Sequence, residues 1–209
     1  QLSVDDRTYE AAQFMRDYAQ NQGWEYPETY VFSQWSQNRV YNWFVNGESR
    51  SYSYALSNYQ DFLSATDGQE WYEQLRGRTG FIATESGAGE DPSQDPMDDR
   101  LWRDNFGLET AHYRAIWANE NDSRRVYTLV PGAQIVGAVT DSDAVSIDGQ
   151  AEVGDRSPQV SLPATLEEGL YYESVPLPGT YSVRDREITV SEAAVRNGTV
   201  FSPFEGESR

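Results

Sequence analysis

His112 is the one imidazole in the chain, so it could serve as a general base and a serine triad would have to run through it. It precedes Tyr113 at the head of an alternating segment, where a histidine reads as structural. Serines are numerous, yet no Gly-x-Ser-x-Gly elbow occurs. Gly87-Ala88-Gly89 lacks the spacing and the following helix of a phosphate-cradling loop. The acid pairs Asp98-Asp99 and Glu167-Glu168 have the oxygen ligands that suit a hard cation. With 34 acids in the chain such pairs arise by chance, and they read as solvated surface. Trp35, Tyr41, Trp43 and Phe44 offer either flat aromatic faces to a sugar or peptide, or one side of a helix to a core. The absence of cysteine removes disulfides, thiolate metal sites and a cysteine nucleophile together.

The elements that must position these residues follow from periodicity. A helix is predicted from about Asp5 to Gln22, with Ser3-Val4-Asp5-Asp6 as a capping box, Ala11, Met15, Tyr18 and Ala19 at helical spacing, and Gly23 as the stop. Tyr30 to Ser33 is a short strand leading into the aromatic stretch Trp35 to Phe44, and Asn46-Gly47 marks a turn. Tyr52 to Thr66 and Trp71 to Leu75 read as helices, Thr79 to Thr84 as a buried strand, Glu85 to Asp99 as an exposed loop, and Asp98 to Phe106 as a further helix. From His112 onward the character is alternating: strands are expected at 113–118, 126–129, 134–139, 144–153, 160–162, 169–175, 180–183 and 187–190. The expected class is therefore α+β, a mixed α/β region over 1–125 followed by a small all-β barrel or sandwich over 126–209.

Composition bounds the setting. The 209 residues are ample for a core, and 6 Trp, 14 Tyr and 8 Phe separate the chain from disordered acidic tails. The formal charge is −18, all 16 basic residues are arginine, and lysine is absent. Such a surface repels itself unless salt screens it, and at molar salt the Debye length falls to about 3 Å, so the composition reads as adaptation to salt. The same charge argues against a nucleic-acid partner, which needs a basic footprint. No run approaches the roughly 20 apolar residues of a membrane span. The start, Gln1-Leu2-Ser3-Val4, carries no signal peptide and suggests a piece cut from something longer. Two sequons, Asn121-Asp122-Ser123 and Asn197-Gly198-Thr199, suit an exported surface.

Read in order, Tyr9-Glu10-Ala11-Ala12, Tyr30-Val31-Phe32-Ser33-Gln34-Trp35, Tyr59-Gln60-Asp61-Phe62-Leu63 and Arg78-Thr79-Gly80-Phe81-Ile82 resemble the opening of the soluble C-terminal domain of archaeal oligosaccharyltransferases, the AglB family. Leu129-Val130-Pro131-Gly132-Ala133, Val175 to Tyr181 and Val190 to Gly198 resemble that family's peripheral β domain. The resemblance implies an extracytoplasmic domain, at the outer face of the cell membrane, of a membrane glycosyltransferase that moves a lipid-linked glycan onto asparagine of an acceptor polypeptide. It implies that transfer chemistry, and any divalent metal ion, belong to a membrane-embedded part, and that this chain holds no cofactor of its own. The family's Trp-Trp-Asp-Tyr-Gly motif falls on Gln34, Trp35, Ser36, Gln37 and Asn38. Only the second tryptophan is kept, the aspartate position is Ser36, and the family's second motif, an acid followed by a basic residue on a helix, is not found. The implied acceptor-binding residues are Trp35, Ser36 and Gln37. The competing reading is a non-catalytic glycan- or protein-binding module at the surface of a halophilic archaeon. A free-standing hydrolase built on the acid pairs is disfavoured.

Overall fold

The computed structural model describes residues 5–49, 52–86, 95–139 and 144–202. By the density of their contacts they form two compact units, Gln1–Trp102 with Ala115–Leu129, and Arg103–Arg114 with Val130–Arg209.

The first unit contains α1 (Asp6–Gln22), β1 (Val31–Ser33), α2 (Trp35–Asn46), α3 (Tyr52–Ser64), α4 (Gly68–Leu75), β2 (Phe81–Glu85), α5 (Met97–Trp102) and β4 (Arg124–Leu129), with most of β3 (Tyr113–Ala118). The cap of α1 is Asp5, whose carboxylate accepts from the Thr8 amide at 3.0 Å and its hydroxyl at 2.7 Å; Ser3 lies outside the described residues. Gly23, at φ 67°, ends the helix as its residue type foretells. The sheet order is β1-β2-β4-β3, with β1 parallel to β2 and β2 antiparallel to β4. Register sorts the strand residues into two faces. Val31, Phe81, Ala83 and Val126 join the core under α1 with Ala11, Ala12, Met15 and Tyr41. Phe32, a neighbour in sequence, turns the other way and meets Tyr54, Tyr59 and Phe62 of α3. With both faces covered, β1 and β2 read as continuous apolar runs, not as alternation.

The second unit has β5 (Ala133–Ala138), β6 (Ser146–Ala151), β7 (Gln159–Pro163), β8 (Thr165–Glu167), β9 (Leu170–Val175), β10 (Gly179–Val183), β11 (Arg186–Val190), α6 (Glu192–Asn197) and β12 (Val200–Phe201). They make two four-stranded sheets, β11-β10-β6-β7 and β12-β5-β9-β8. Alternation fixes their buried sides: Gly179, Tyr181 and Val183 on β10 are inside, as are Ala133, Ile135 and Gly137 on β5. The class is α+β as expected, but neither sheet closes into a barrel. The edge strands β8, three exposed residues, and β12, two residues, are too short to carry a ladder onward.

Several elements differ from the sequence expectation. The helix expected to reach Phe106 stops at Trp102, because Phe106 and Gly107 both take left-handed backbone, φ 55° and 73°. β8 has no buried residue to reveal a period. α6 carried readable signals, the Ser191 cap on the Ala194 amide and Gly198 at φ 63°, but six residues are too few for a helical repeat to stand out.

The charge of −18 sets one expected result for the whole fold. Dilution from molar to about 0.1 M salt lengthens the Debye length from about 3 to 10 Å and restores repulsion among surface carboxylates. The melting temperature falls over that range; an unchanged value would contradict a salt-adapted surface.

Candidate functional site

The site begins at the corner between β1 and α2, where Gln34 alone separates strand from helix. Gln34 caps α2 without a side-chain hydrogen bond, and its carbonyl takes the amides of Gln37 (3.0 Å) and Asn38 (2.9 Å). The amides of Trp35 and Ser36, in the first turn, are ones for which a helix supplies no internal acceptor. Trp35 is 56% exposed, Ser36 is exposed, Gln37 is half-buried and Asn38 is 0% exposed. The corner therefore presents an open indole, a hydroxyl and a carboxamide.

Asparagines hold the corner in place. β1 is a sheet edge, and Val31 turns its amide and carbonyl away from β2. Asn42 meets both, accepting from the Val31 amide at 3.0 Å and donating to its carbonyl at 2.9 Å, so one carboxamide stands in for a missing strand. Asn38 donates to the same carbonyl at 2.8 Å, and Asn46 donates to Thr29 O at 3.0 Å and Asn42 Oδ1 at 2.9 Å. The spacing 38, 42, 46 puts the three on one helical face. Asn38, placed beside the corner by the motif alignment, is thereby spent on structure and turned away from solvent. On another side of α2, Arg124 donates to the Tyr41 hydroxyl at 2.9 Å and pairs with Asp5 at 3.3 Å and with Glu85. Burial pushes the Tyr41 hydroxyl up to about 12 despite the Arg124 charge, so it remains a neutral acceptor.

The remaining candidates fall elsewhere. The aromatic stretch divides: Tyr41 is buried, Phe44 packs edge-on against Tyr9 at 5.4 Å, and Trp35 and Trp43 face out at 56% and 63%. Sugar platform and core packing were thus not alternatives, since one helix does the second with one side and leaves the other open. His112 Nδ1 lies 3.1 Å from Val130 O, and its carbonyl accepts the Val130 amide at 2.9 Å, a structural clasp. Asp98 is buried; desolvation first and the Asp98 charge second hold the Tyr59 hydroxyl well above its ordinary range. Its sequence neighbour Asp99 is only half-buried, and Glu167 and Glu168 are exposed. Gly87, Ala88 and Gly89 lie outside the described residues. Among the described residues no three His, Cys, Asp or Glu side chains gather as a metal-ligand set. No helix there is long and apolar enough to cross a membrane. Both sequon asparagines, Asn121 and Asn197, are exposed.

The asparagine face and the Arg124 hub were missed in the sequence. The first had a signal, three asparagines at four-residue spacing in a helix that otherwise disfavours them. The second had none, since Asp5, Tyr41, Glu85 and Arg124 come together only through the fold.

No protein-family model and no curated protein matches the sequence. Among solved structures, the chain has the fold of a large region of an archaeal oligosaccharyltransferase. The Archaeoglobus fulgidus enzyme in its apo form aligns with 96% of this chain at TM-score 0.68 and 13% identity. The same enzyme tethered through a disulfide to an acceptor peptide containing the NVT sequon gives the same values. Archaeoglobus fulgidus AglB in complex with an inhibitory peptide and a dolichol-phosphate gives 0.66. The chain spans less than half of each of those proteins, 42–43% of their length.

Proposed function

We propose that the chain is the extracytoplasmic domain of an oligosaccharyltransferase-like membrane glycosyltransferase acting in protein N-glycosylation, and that its β1–α2 corner receives the acceptor polypeptide. The supporting observation is the joint one of fold and placement. The fold is that of part of a protein whose solved structures carry an acceptor peptide and a dolichol-phosphate. In this chain the motif-aligned Trp35 stands open at the start of a helix whose N-cap makes no side-chain hydrogen bond. Trp35 offers the apolar face against which a threonine methyl would pack. Ser36 and Gln37 offer the donors and acceptors that a sequon hydroxyl and peptide backbone require. The Ser36 hydroxyl would then do, without charge, what the family's aspartate position does with one.

In this reading the chain binds and orients, and bond making belongs to a membrane-embedded part that also holds the divalent ion and the lipid-linked glycan. The domain lies outside the membrane, where acidic surface and exposed sequons are tolerated. The rival reading, a non-catalytic surface module, draws on the exposed Trp43, which the acceptor corner does not use.

Trp35→Ala separates function from scaffold. Removing an indole that is already 56% exposed changes stability little, under about 1 kcal/mol. Removing the central aromatic anchor of a peptide site weakens binding by about tenfold or more. Titration of a fluorescent Asn-x-Thr peptide against both proteins measures the second quantity, and a thermal melt the first. A large fall in melting temperature with unchanged peptide binding would place Trp35 in the core and remove the site.

A further inference from the structure

The stripe beside the asparagines on α2 also repeats at four-residue spacing: Trp35, Arg39 and Trp43 are all exposed, about 60° around the helix from Asn38, Asn42 and Asn46. Arg39 reaches sideways, its guanidinium 4.0 Å over the Tyr52 ring at the start of α3. One turn further along α3, Leu56 is 53% exposed. The two helices thus present one continuous outer face of indole, guanidinium, phenol and leucine.

Charge singles this face out. Of the 34 acids in the chain, only Glu48 falls between Thr29 and Gln60, where Arg39 and Arg50 also stand. The twelve residues of α2 include no acid at all. In a chain of net charge −18 this stretch carries a single acid, and there it exposes its two most accessible tryptophans. Solvation explains neither feature, since carboxylates hydrate a surface and exposed indoles do not.

We propose that the α2–α3 face is a membrane-contact surface, which lays Trp43 and Leu56 into the headgroup region of a lipid bilayer, with Arg39 against lipid phosphate. Three observations favour this occupant. The stripe runs along the exposed side of a single helix, a line of side chains that can lie against a flat surface. Indoles alternating with a guanidinium match the apolar-to-phosphate boundary of a bilayer, where tryptophan and arginine each find partners. The exposed area is too small for a stable second copy, since two half-open indoles and a leucine supply roughly 400 Å² while a standard interface needs about 800 Å² per partner. Acid elsewhere on the molecule orients it, because any other approach to an anionic bilayer sets carboxylates against phosphates.

The inference does not rest on the acceptor reading, and its test leaves Trp35 intact so that the two fail separately. The protein and its Trp43→Ser/Leu56→Ser variant are floated with phosphatidylcholine vesicles, and with vesicles of equal parts phosphatidylcholine and phosphatidylglycerol, in dilute and in molar salt. Native protein floats with both vesicles and still does so in molar salt, because apolar insertion survives screening. The double variant floats about tenfold less or worse, with its melting temperature and peptide binding unchanged. Arg39→Gln lowers flotation on the anionic vesicles in dilute salt only. Absence of flotation by the native protein, or undiminished flotation by the double variant, overturns the proposal. So does a native dimer in sedimentation that the double variant loses, since the face would then cover a second copy.

Discussion

Arg125→Met lowers the unfolding free energy by about 2–4 kcal/mol, the largest single-residue effect expected in the first unit. Arg125 stands on the interior strand β4 with its side chain 1% exposed. Its guanidinium grips Asp122 with two bonds, Nε to Oδ1 at 2.9 Å and Nη2 to Oδ2 at 2.6 Å. The third nitrogen donates to Leu101 O at 2.8 Å, and the group sits 4.8 Å over the Trp102 ring. Burial works against the charge, yet the Asp122 hydrogen bonds outweigh it and hold the guanidinium protonated. Methionine fills much of the space but strands the Asp122 carboxylate. Breaking a fully buried pair costs about 3–5 kcal/mol, and the figure is reduced here because Asp122 is 35% exposed and water takes over part of its solvation. Chemical denaturation of Arg125→Met and of Arg125→Met/Asp122→Asn measures this. The double variant recovers part of the loss, and a single-variant loss below about 1 kcal/mol would show that the pair is ornamental.

Asn42→Ala is the second large effect, about 2–4 kcal/mol, and it acts through the backbone of β1. Val31 and Asn42 are 0% and 1% exposed, so the Val31 amide left behind has no water to turn to. The Val31 carbonyl keeps its bond from Asn38, and the partly exposed Asn46 loses one acceptor of two. The order of loss is therefore Asn42→Ala, then Asn38→Ala, then Asn46→Ala, read from denaturation midpoints. Equal small losses for all three would mean that the edge of β1 is satisfied in another way.

How much of this was legible in the sequence depends on whether a feature is local or assembled. α1 was placed by apolar spacing and its glycine stop, α3 by apolar spacing, and the strands of the second half by alternation, because each carries its own period. A period says nothing of how strands pair, so the two open sheets could not be told from a barrel. The corner was locatable because Tyr30 to Trp35 is contiguous. That Trp35 is open while Asn38 is spent on β1 follows from which face of α2 meets the sheet. Spacing alone leaves that choice free, since Trp35-Arg39-Trp43 and Asn38-Asn42-Asn46 are equally regular. Burying Asn38 and Asn42 while exposing two tryptophans reverses the ordinary ranking. It became reasonable only once Val31 was seen to need a carboxamide partner.

The absence of cysteine gives the acceptor corner its most direct test, because one introduced thiol is then unique. In Ser36→Cys the thiol replaces a hydroxyl that already faces solvent, so the fold is left undisturbed. The variant is incubated under mild oxidant with peptides that carry one cysteine near an Asn-x-Thr, a Gln-x-Thr or an Asn-x-Ala triplet. If the β1–α2 corner receives acceptor polypeptide, disulfide capture is fastest for Asn-x-Thr. It slows several-fold when threonine becomes alanine, and Trp35→Ala in the same background removes the preference. Equal capture of all three peptides, untouched by Trp35→Ala, would contradict an acceptor site at this corner.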